Sequence, residues 1–179
     1  MNIKQIGVMG SAADLGYAEK IGNIAFELGQ EIAKNNYKLV YGAEKDSDSL
    51  SAIAAKGAKS EGGIVCGVTY GNTPDIWGDM ANYTDIIINT GMQRGGGREF
   101  VLVSSCDAII AVGGGSGTLN EITIAYQKKI PIVVIEETGG WSEKLAGKYL
   151  DERAKTDPNR FVCKGVKTAK EAIEYLNNL

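Results

Sequence analysis

The chain has 179 residues, 44% hydrophobic and 23% charged, an ordinary globular composition that suits one domain over residues 1–179. It contains no histidine, which excludes Ser-His-Asp and Cys-His catalysis, imidazole zinc sites and HExxH, and leaves acid–base chemistry to Asp, Glu, Lys, Tyr or Cys. Lys plus Arg is 19 against Asp plus Glu 22, a formal charge of −3 with no basic stripe, which argues against a nucleic-acid partner.

Short apolar runs alternate with helical patterns. Ile6–Met9 predicts a strand leading through Gly10-Ser11-Ala12-Ala13-Asp14 into a helix from Tyr17 to Lys34, where Ile21, Ile24, Ala25, Leu28 and Ile32 recur at helical spacing. Lys38–Tyr41 reads as a strand, Ser49–Lys59 as a helix of small residues, and Gly63–Val68 and Asp85–Asn89 as strands. A helix over Arg98–Ser105 follows, then a strand Asp107–Val112, a glycine loop, and a helix Thr118–Lys128. Pro131–Glu136 and Phe161–Cys163 complete the strands, Glu152–Arg160 is a polar loop, and Thr168–Leu179 is the last helix. Apolar strands separated by helices predict an α/β, Rossmann-like, doubly wound and mainly parallel sheet of about seven strands, with helices on both faces.

Cys66, Cys106 and Cys163 are odd in number, widely spaced and free of CxxC, so they read as buried thiols of a reducing compartment. The start of the chain is too soon polar for a signal peptide, and no apolar run approaches the ~20 residues of a membrane span. The expectation is a cytoplasmic protein with no membrane partner.

Ligands of such sheets sit beyond the carboxyl ends of the strands. Gly113-Gly114-Gly115-Ser116-Gly117-Thr118 lies there, between a strand and a helix. Its glycines admit an anion to the backbone, the helix start offers free N–H groups, and Thr118 can add a hydroxyl or cap the helix. A ligand-free tight turn is the plain alternative, but it needs fewer glycines. The loop is no Walker A motif, lacking Lys-Ser/Thr, and no GxGxxG, since Asn120 stands in the third glycine's place. Glu136, about 20 residues on, leaves a nicotinamide-binding site as a weaker alternative. Glu121 is expected in the first helical turn, either as helix-start electrostatics or as a general base or ribose ligand. A second loop, Asn89–Glu99, brings Arg94 and Arg98 to the mouth of the same crevice, where guanidinium forks suit phosphate. Trp141, after two glycines, could stack on a ligand ring, although core or dimer packing is the commoner role.

Residues 113–121, Gly-Gly-Gly-Ser-Gly-Thr-Leu-Asn-Glu, resemble the PGGxGTxxE signature of the Lonely Guy (LOG) family, once labelled lysine decarboxylases and acting as cytokinin riboside 5′-monophosphate phosphoribohydrolases. Arg98-Glu99 and Asp107, with Gly10-Ser11, Leu39-Val40-Tyr41-Gly42 and Gly62-Gly63-Ile64-Val65, extend the resemblance over nearly the whole chain. Gly in place of Pro at Gly113, with Thr138-Gly139-Gly140-Trp141 and Leu150-Asp151-Glu152-Arg153, looks more like the branch of the molybdenum cofactor carrier proteins. The resemblance implies Arg98 and Glu121 as catalytic residues. It implies Gly114, Gly115, Gly117 and Thr118 as the phosphate-binding turn, and Gly10, Ser11, Gly91, Met92, Arg94, Gly113 and Ser116 complete the candidate ligand-binding set. It implies no required cofactor, with molybdopterin as a bound ligand, and a homodimer or homotetramer formed beside the loop. Two functions follow: a carrier or sensor binding a phosphorylated nucleotide or pterin-nucleotide-like molecule, or a nucleoside 5′-monophosphate phosphoribohydrolase releasing free base and ribose 5-phosphate.

Two stretches depart from the family pattern. The GGGxxGLMG loop is here Gly42-Ala43-Glu44-Lys45-Asp46-Ser47-Asp48-Ser49-Leu50, whose acids would repel a phosphate unless Lys45 or a metal compensates. Glu99 replaces the lysine beside the arginine. Glu44, Asp46 and Asp48 lack the glycine and twelfth-position Glu of an EF-hand, so no metal site is expected and the stretch reads as a solvated loop. No lysine in the crevice loops stands out as a pyridoxal anchor, so nothing physical supports a decarboxylase.

Overall fold

The structure, a computed structural model, describes residues 3–12 and 16–179. The strands are β1 (Gln5–Gly10), β2 (Lys38–Gly42), β3 (Val65–Thr69), β4 (Ile86–Asn89), β5 (Ala108–Val112), β6 (Ile132–Ile135) and β7 (Cys163–Val166). Between them lie the helices α1 (Glu19–Lys34), α2 (Leu50–Ser60), α3 (Arg98–Ser104), α4 (Ser116–Lys128), α5 (Gly140–Leu145) and α6 (Ala169–Asn177). The strands form one seven-stranded sheet in the order β4-β3-β2-β1-β5-β6-β7, every pairing parallel. The α/β, doubly wound architecture read from the sequence is the one observed.

Alternation along each strand sorts the side chains into two cores. Ile6, Val8, Leu39, Tyr41, Ile110, Val112, Val133 and Ile135 face α1, α2 and α6. Met9, Val40, Ile109, Ala111, Ile132 and Val134 face α3 and α4. The small residues of α2 let α1 approach closely: a Cβ on Gly29 would strike the Ala54 carbonyl, and one on Gly57 the Phe26 carbonyl. Cover thins at the edge strand, where Ile86 is 50% exposed. Among the described residues no helix is long and apolar enough to cross a membrane.

Three details differ from the sequence-based expectation. The last strand is Cys163–Val166 rather than Phe161–Cys163. Pairing of Ile132 with Cys163 and Ile135 with Val166 sets that register; Cys163 and Val166 are buried on opposite faces of this edge strand, so the exposed Lys164 between them breaks the apolar run without ending the strand. Helix α5 was not expected, because Gly139 and Gly140 look like breakers; their φ angles of +73° and +58° instead turn the chain into it. Helix α4 starts at Ser116, with Gly115 as its N-cap and the Leu119 amide donating to the Gly115 carbonyl at 3.0 Å. Thr118 therefore does not cap the helix, and Glu121 lies in the second turn rather than the first. The proposed loop residues Ala13 and Asp14 fall outside the described residues.

The order of strands reverses between β1 and β5, which pair from Ile6 with Ala108 to Gly10 with Val112. The carboxyl ends of these two strands flank the crevice where such folds bind ligands.

Candidate functional site

A crevice of about 530 Å³ opens at this point. One wall is the start of α4, from Gly115 to Thr118 with Asn120 and Glu121; the opposite wall carries Arg94, Gly95, Arg98, Glu99 and Glu44, and Gly10 and Ala12 close the β1 side. The sequence-derived residues Gly10, Arg94, Arg98, Gly115, Ser116, Gly117, Thr118 and Glu121 thus meet in one place. Ser11, Gly91, Met92, Gly113 and Gly114 do not line it.

Gly113 and Gly114 have another task. With φ of +62° and +100°, they turn the chain sharply after β5. The Gly113 amide donates to Thr138 Oγ1 (2.9 Å) and the Gly114 amide to Ser11 Oγ (2.8 Å). Their carbonyls accept from the amides of Ser142 and Trp141, each at 3.0 Å. These groups are spent on one another, and the donors left to face the crevice belong to the next turn. The amides of Ser116, Gly117 and Thr118 sit in the first turn of the thirteen-residue α4, where no helical acceptor exists and the helix dipole is positive. Ser116 and Gly117 are exposed there, while Thr118 is buried, its Oγ1 donating to the Gly10 carbonyl at 3.4 Å. Gly91 and Met92 lie outside the crevice, with Met92 43% exposed and its carbonyl accepting from the Gly71 amide at 2.8 Å.

The arginine wall differs from the open phosphate fork the sequence suggested. Arg98 Nη2 donates to Glu44 Oε1 at 2.8 Å, and Arg94 Nη1 to Glu44 Oε2 at 3.0 Å. Glu99 stands 3.6 Å from Arg98 Nε through Oε1, and its Oε2 accepts from the Gly95 amide at 2.9 Å. Glu44 is thus no part of a solvated loop; Arg94 and Arg98 compensate its charge. Sequence reasoning saw Glu44 and Glu99 only as departures, because partners 54 residues apart leave no periodic trace. Around this wall the Tyr70 ring takes Arg94 at 4.9 Å and Lys45 at 5.1 Å, and its hydroxyl donates to Asp46. Burial and that hydrogen bond push the Tyr70 hydroxyl up to about 12.

Glu121 forms the floor. Its side chain is buried and, among the described residues, makes no hydrogen bond. Burial pushes its carboxyl up to about 8, Arg98 acting against this and Glu99 and Glu44 adding to it. Two guanidinium groups face three carboxylates here, so a proton on Glu121 balances the cluster. Arg98 Nε and Nη1 are also buried and make no hydrogen bond, Nε having only the more distant Glu99 carboxylate beside it. Beneath them a recess of about 40 Å³ runs between Glu44, Ser49, Ser51 and Glu121.

Other singled-out residues lie elsewhere. Asp107 Oδ2 accepts from the amides of Lys4 (2.9 Å) and Gln5 (3.0 Å), fastening β1 at the end of the sheet away from the crevice. Glu136 packs beside Gly165 of β7 and does not line the crevice. Trp141 is half-buried with Lys144 Nζ 4.6 Å from its ring centre, also outside it. The three cysteines are free and buried, and burial pushes all three thiols up, Cys163 to about 11.

A model of the SLOG cluster4 family matches residues 3–169. An uncharacterized protein of Archaeoglobus fulgidus is 38% identical over 142 residues, 76% of this chain and 86% of that protein. Among solved structures, TM1055 superposes with a TM-score of 0.83 at 25% identity, covering 99% of this chain and 100% of that one. The molybdenum cofactor carrier protein of Chlamydomonas reinhardtii superposes with a TM-score of 0.76 at 29% identity, covering 99% and 98%. These matches bear out the resemblance to the LOG-like superfamily and its carrier-protein branch.

Proposed function

This chain belongs to the SLOG cluster4 family, and on that premise we propose that it binds a small phosphorylated ligand, a nucleotide or a pterin-nucleotide-like molecule such as molybdopterin carried as cargo. The observation that carries the reading is the free amide end of α4 opening into the crevice between β1 and β5. The phosphate sits against Ser116, Gly117 and Thr118, and the organic part lies toward Arg98 and Glu121. A volume of about 530 Å³ is in the range of small-molecule sites. Glu121, neutral below about pH 8, donates a hydrogen bond to the ligand.

The second reading, cleavage of a nucleoside 5′-monophosphate, is supported by Arg98 and Glu121 lining the same crevice. There Glu121 must be ionised to orient water or steady positive charge on the sugar, so the rate climbs as pH rises through about 8. The neutral Glu121 of the free protein favours binding over hydrolysis at pH 7. A homodimer or homotetramer belongs to the same proposal, supported by Phe100, 54% exposed on α3 beside the crevice wall; the mass in solution tests it.

The deciding experiment titrates the protein with AMP, GMP and molybdopterin by calorimetry and follows free base by chromatography. The Gly117→Asp variant is the control. A Cβ at Gly117 meets no neighbour, and a carboxylate in a first helical turn favours the helix, so the fold stands while the phosphate seat becomes anionic. Binding without base release, abolished in Gly117→Asp, supports a carrier or sensor. Base release lost in Glu121→Gln supports the hydrolase. Unaltered binding by Gly117→Asp removes the phosphate from α4.

A further inference from the structure

We propose that Glu44 is a specificity-determining residue of the crevice, an internal counter-anion in the seat that a ligand's second acidic group would otherwise take on Arg94 and Arg98. The inference rests on the phosphorylated-ligand reading and concerns the wall facing α4.

Both carboxylate oxygens of Glu44 are engaged, at 2.8 Å by Arg98 and at 3.0 Å by Arg94. The Glu44 side chain is 12% exposed and that of Arg98 4%, so the pair is desolvated and does not behave as a loose rim contact. The chain holds Glu44 in place from both sides. Its carbonyl accepts from the Trp77 amide at 2.8 Å, and the bare Cα of Gly42 leaves room for the Arg98 guanidinium, which any Cβ there would strike. Asp46, bonded to Tyr70 and 3.7 Å from Arg94, ties the same loop to the arginine loop a second time.

A second phosphate reaching this wall meets one of two obstacles. It displaces Glu44 and leaves that carboxylate beside Glu99 without a cation, or it approaches the Glu44 and Glu99 carboxylates with Arg98 Nη2 and Arg94 Nη1 already bonded to Glu44. The α4 amides are then the one seat for an acidic group. The arginine wall instead presents the carboxylate acceptors of Glu44 and Glu99 beside the buried Glu121 carboxyl. Such a wall fits sugar hydroxyls, amino groups and ring N–H donors. The crevice therefore selects ligands carrying one phosphate on a donor-rich body over those carrying a diphosphate.

Calorimetric titration of the full chain with AMP against ADP, and GMP against GDP, tests this. The wild type is expected to bind each monophosphate at least about tenfold more tightly than its diphosphate. Glu44→Gln is expected to narrow that ratio to about threefold or less through a gain in diphosphate affinity. Glu44→Asp, which keeps the charge, retains the discrimination, so the test stands even where the glutamine variant melts early. Equal affinity for mono- and diphosphates in the wild type overturns the role of Glu44 while leaving the phosphorylated-ligand reading in place. So does an unchanged ratio in a folded Glu44→Gln. Absence of binding by all four nucleotides overturns the role of Glu44 together with the nucleotide form of the phosphorylated-ligand reading.

Discussion

Replacing Glu121 by glutamine isolates the cost of keeping an unpaired carboxyl under the crevice. The folded protein holds this group near pKa 8, raised chiefly by burial, whereas the ordinary value is 4.5. Between those values the native state binds a proton that the unfolded chain has released, so stability from this group is fully present below about pH 4.5 and is lost as pH rises toward 8. The slope is about 1.4 kcal/mol per pH unit, or about 2.5 kcal/mol between pH 5.5 and 7.5. Glutamine matches the protonated carboxyl in shape and neutrality but does not titrate. Glu121→Gln should therefore gain on the wild type by about 2.5 kcal/mol over that interval, while any packing difference adds a constant offset. Urea unfolding at pH 5.5, 6.5 and 7.5, at fixed ionic strength and read from Trp77 and Trp141 fluorescence, measures the two curves. A difference between the proteins that stays constant with pH would refute the reasoning.

Further predictions follow from the packing. Gly29→Ala places a methyl group against the Ala54 carbonyl at the α1–α2 contact and should cost about 1–3 kcal/mol by overpacking; a urea midpoint within error of wild type would contradict the contact. Asp107→Ala removes the acceptor of two amides at the start of β1, one exposed and one part-buried, a loss of about 1 kcal/mol, yet it should leave nucleotide titrations unchanged because the crevice is at the other end of the strands. Gly117→Asp should unfold at or above the wild-type urea midpoint while losing phosphate binding, which separates site from fold.

The strands were readable because a covered parallel sheet demands continuous apolar runs, and β5 is buried at every position. The glycine loop was readable because so dense a cluster is rare outside sharp turns. The division of labour inside it was not. That Gly113 and Gly114 are consumed by Thr138 and Ser11 depends on hydroxyls 25 and 103 residues away. Likewise the Glu121 position turned on whether Gly115 or Thr118 begins the helix, and Ser116-Gly117 is a weak helix former on propensity alone. Tertiary contact decided it, with α5 donating to the loop carbonyls from beyond β6. The charge cluster was least legible: the sequence displays Glu44 as one of three acids in a polar loop, and only the folded chain sets it between two arginines.

The stitching of the glycine turn has a kinetic consequence. Ser11 follows β1, Thr138 follows β6, and both hold a turn that itself follows β5, so three neighbouring strand ends are locked to one short segment. The seat at α4 is built before any ligand arrives, and binding there orders little further backbone. Association should then be a single fast step whose rate scales with ligand concentration and reaches no plateau from a slow rearrangement. Affinity differences among ligands should appear in how quickly they leave.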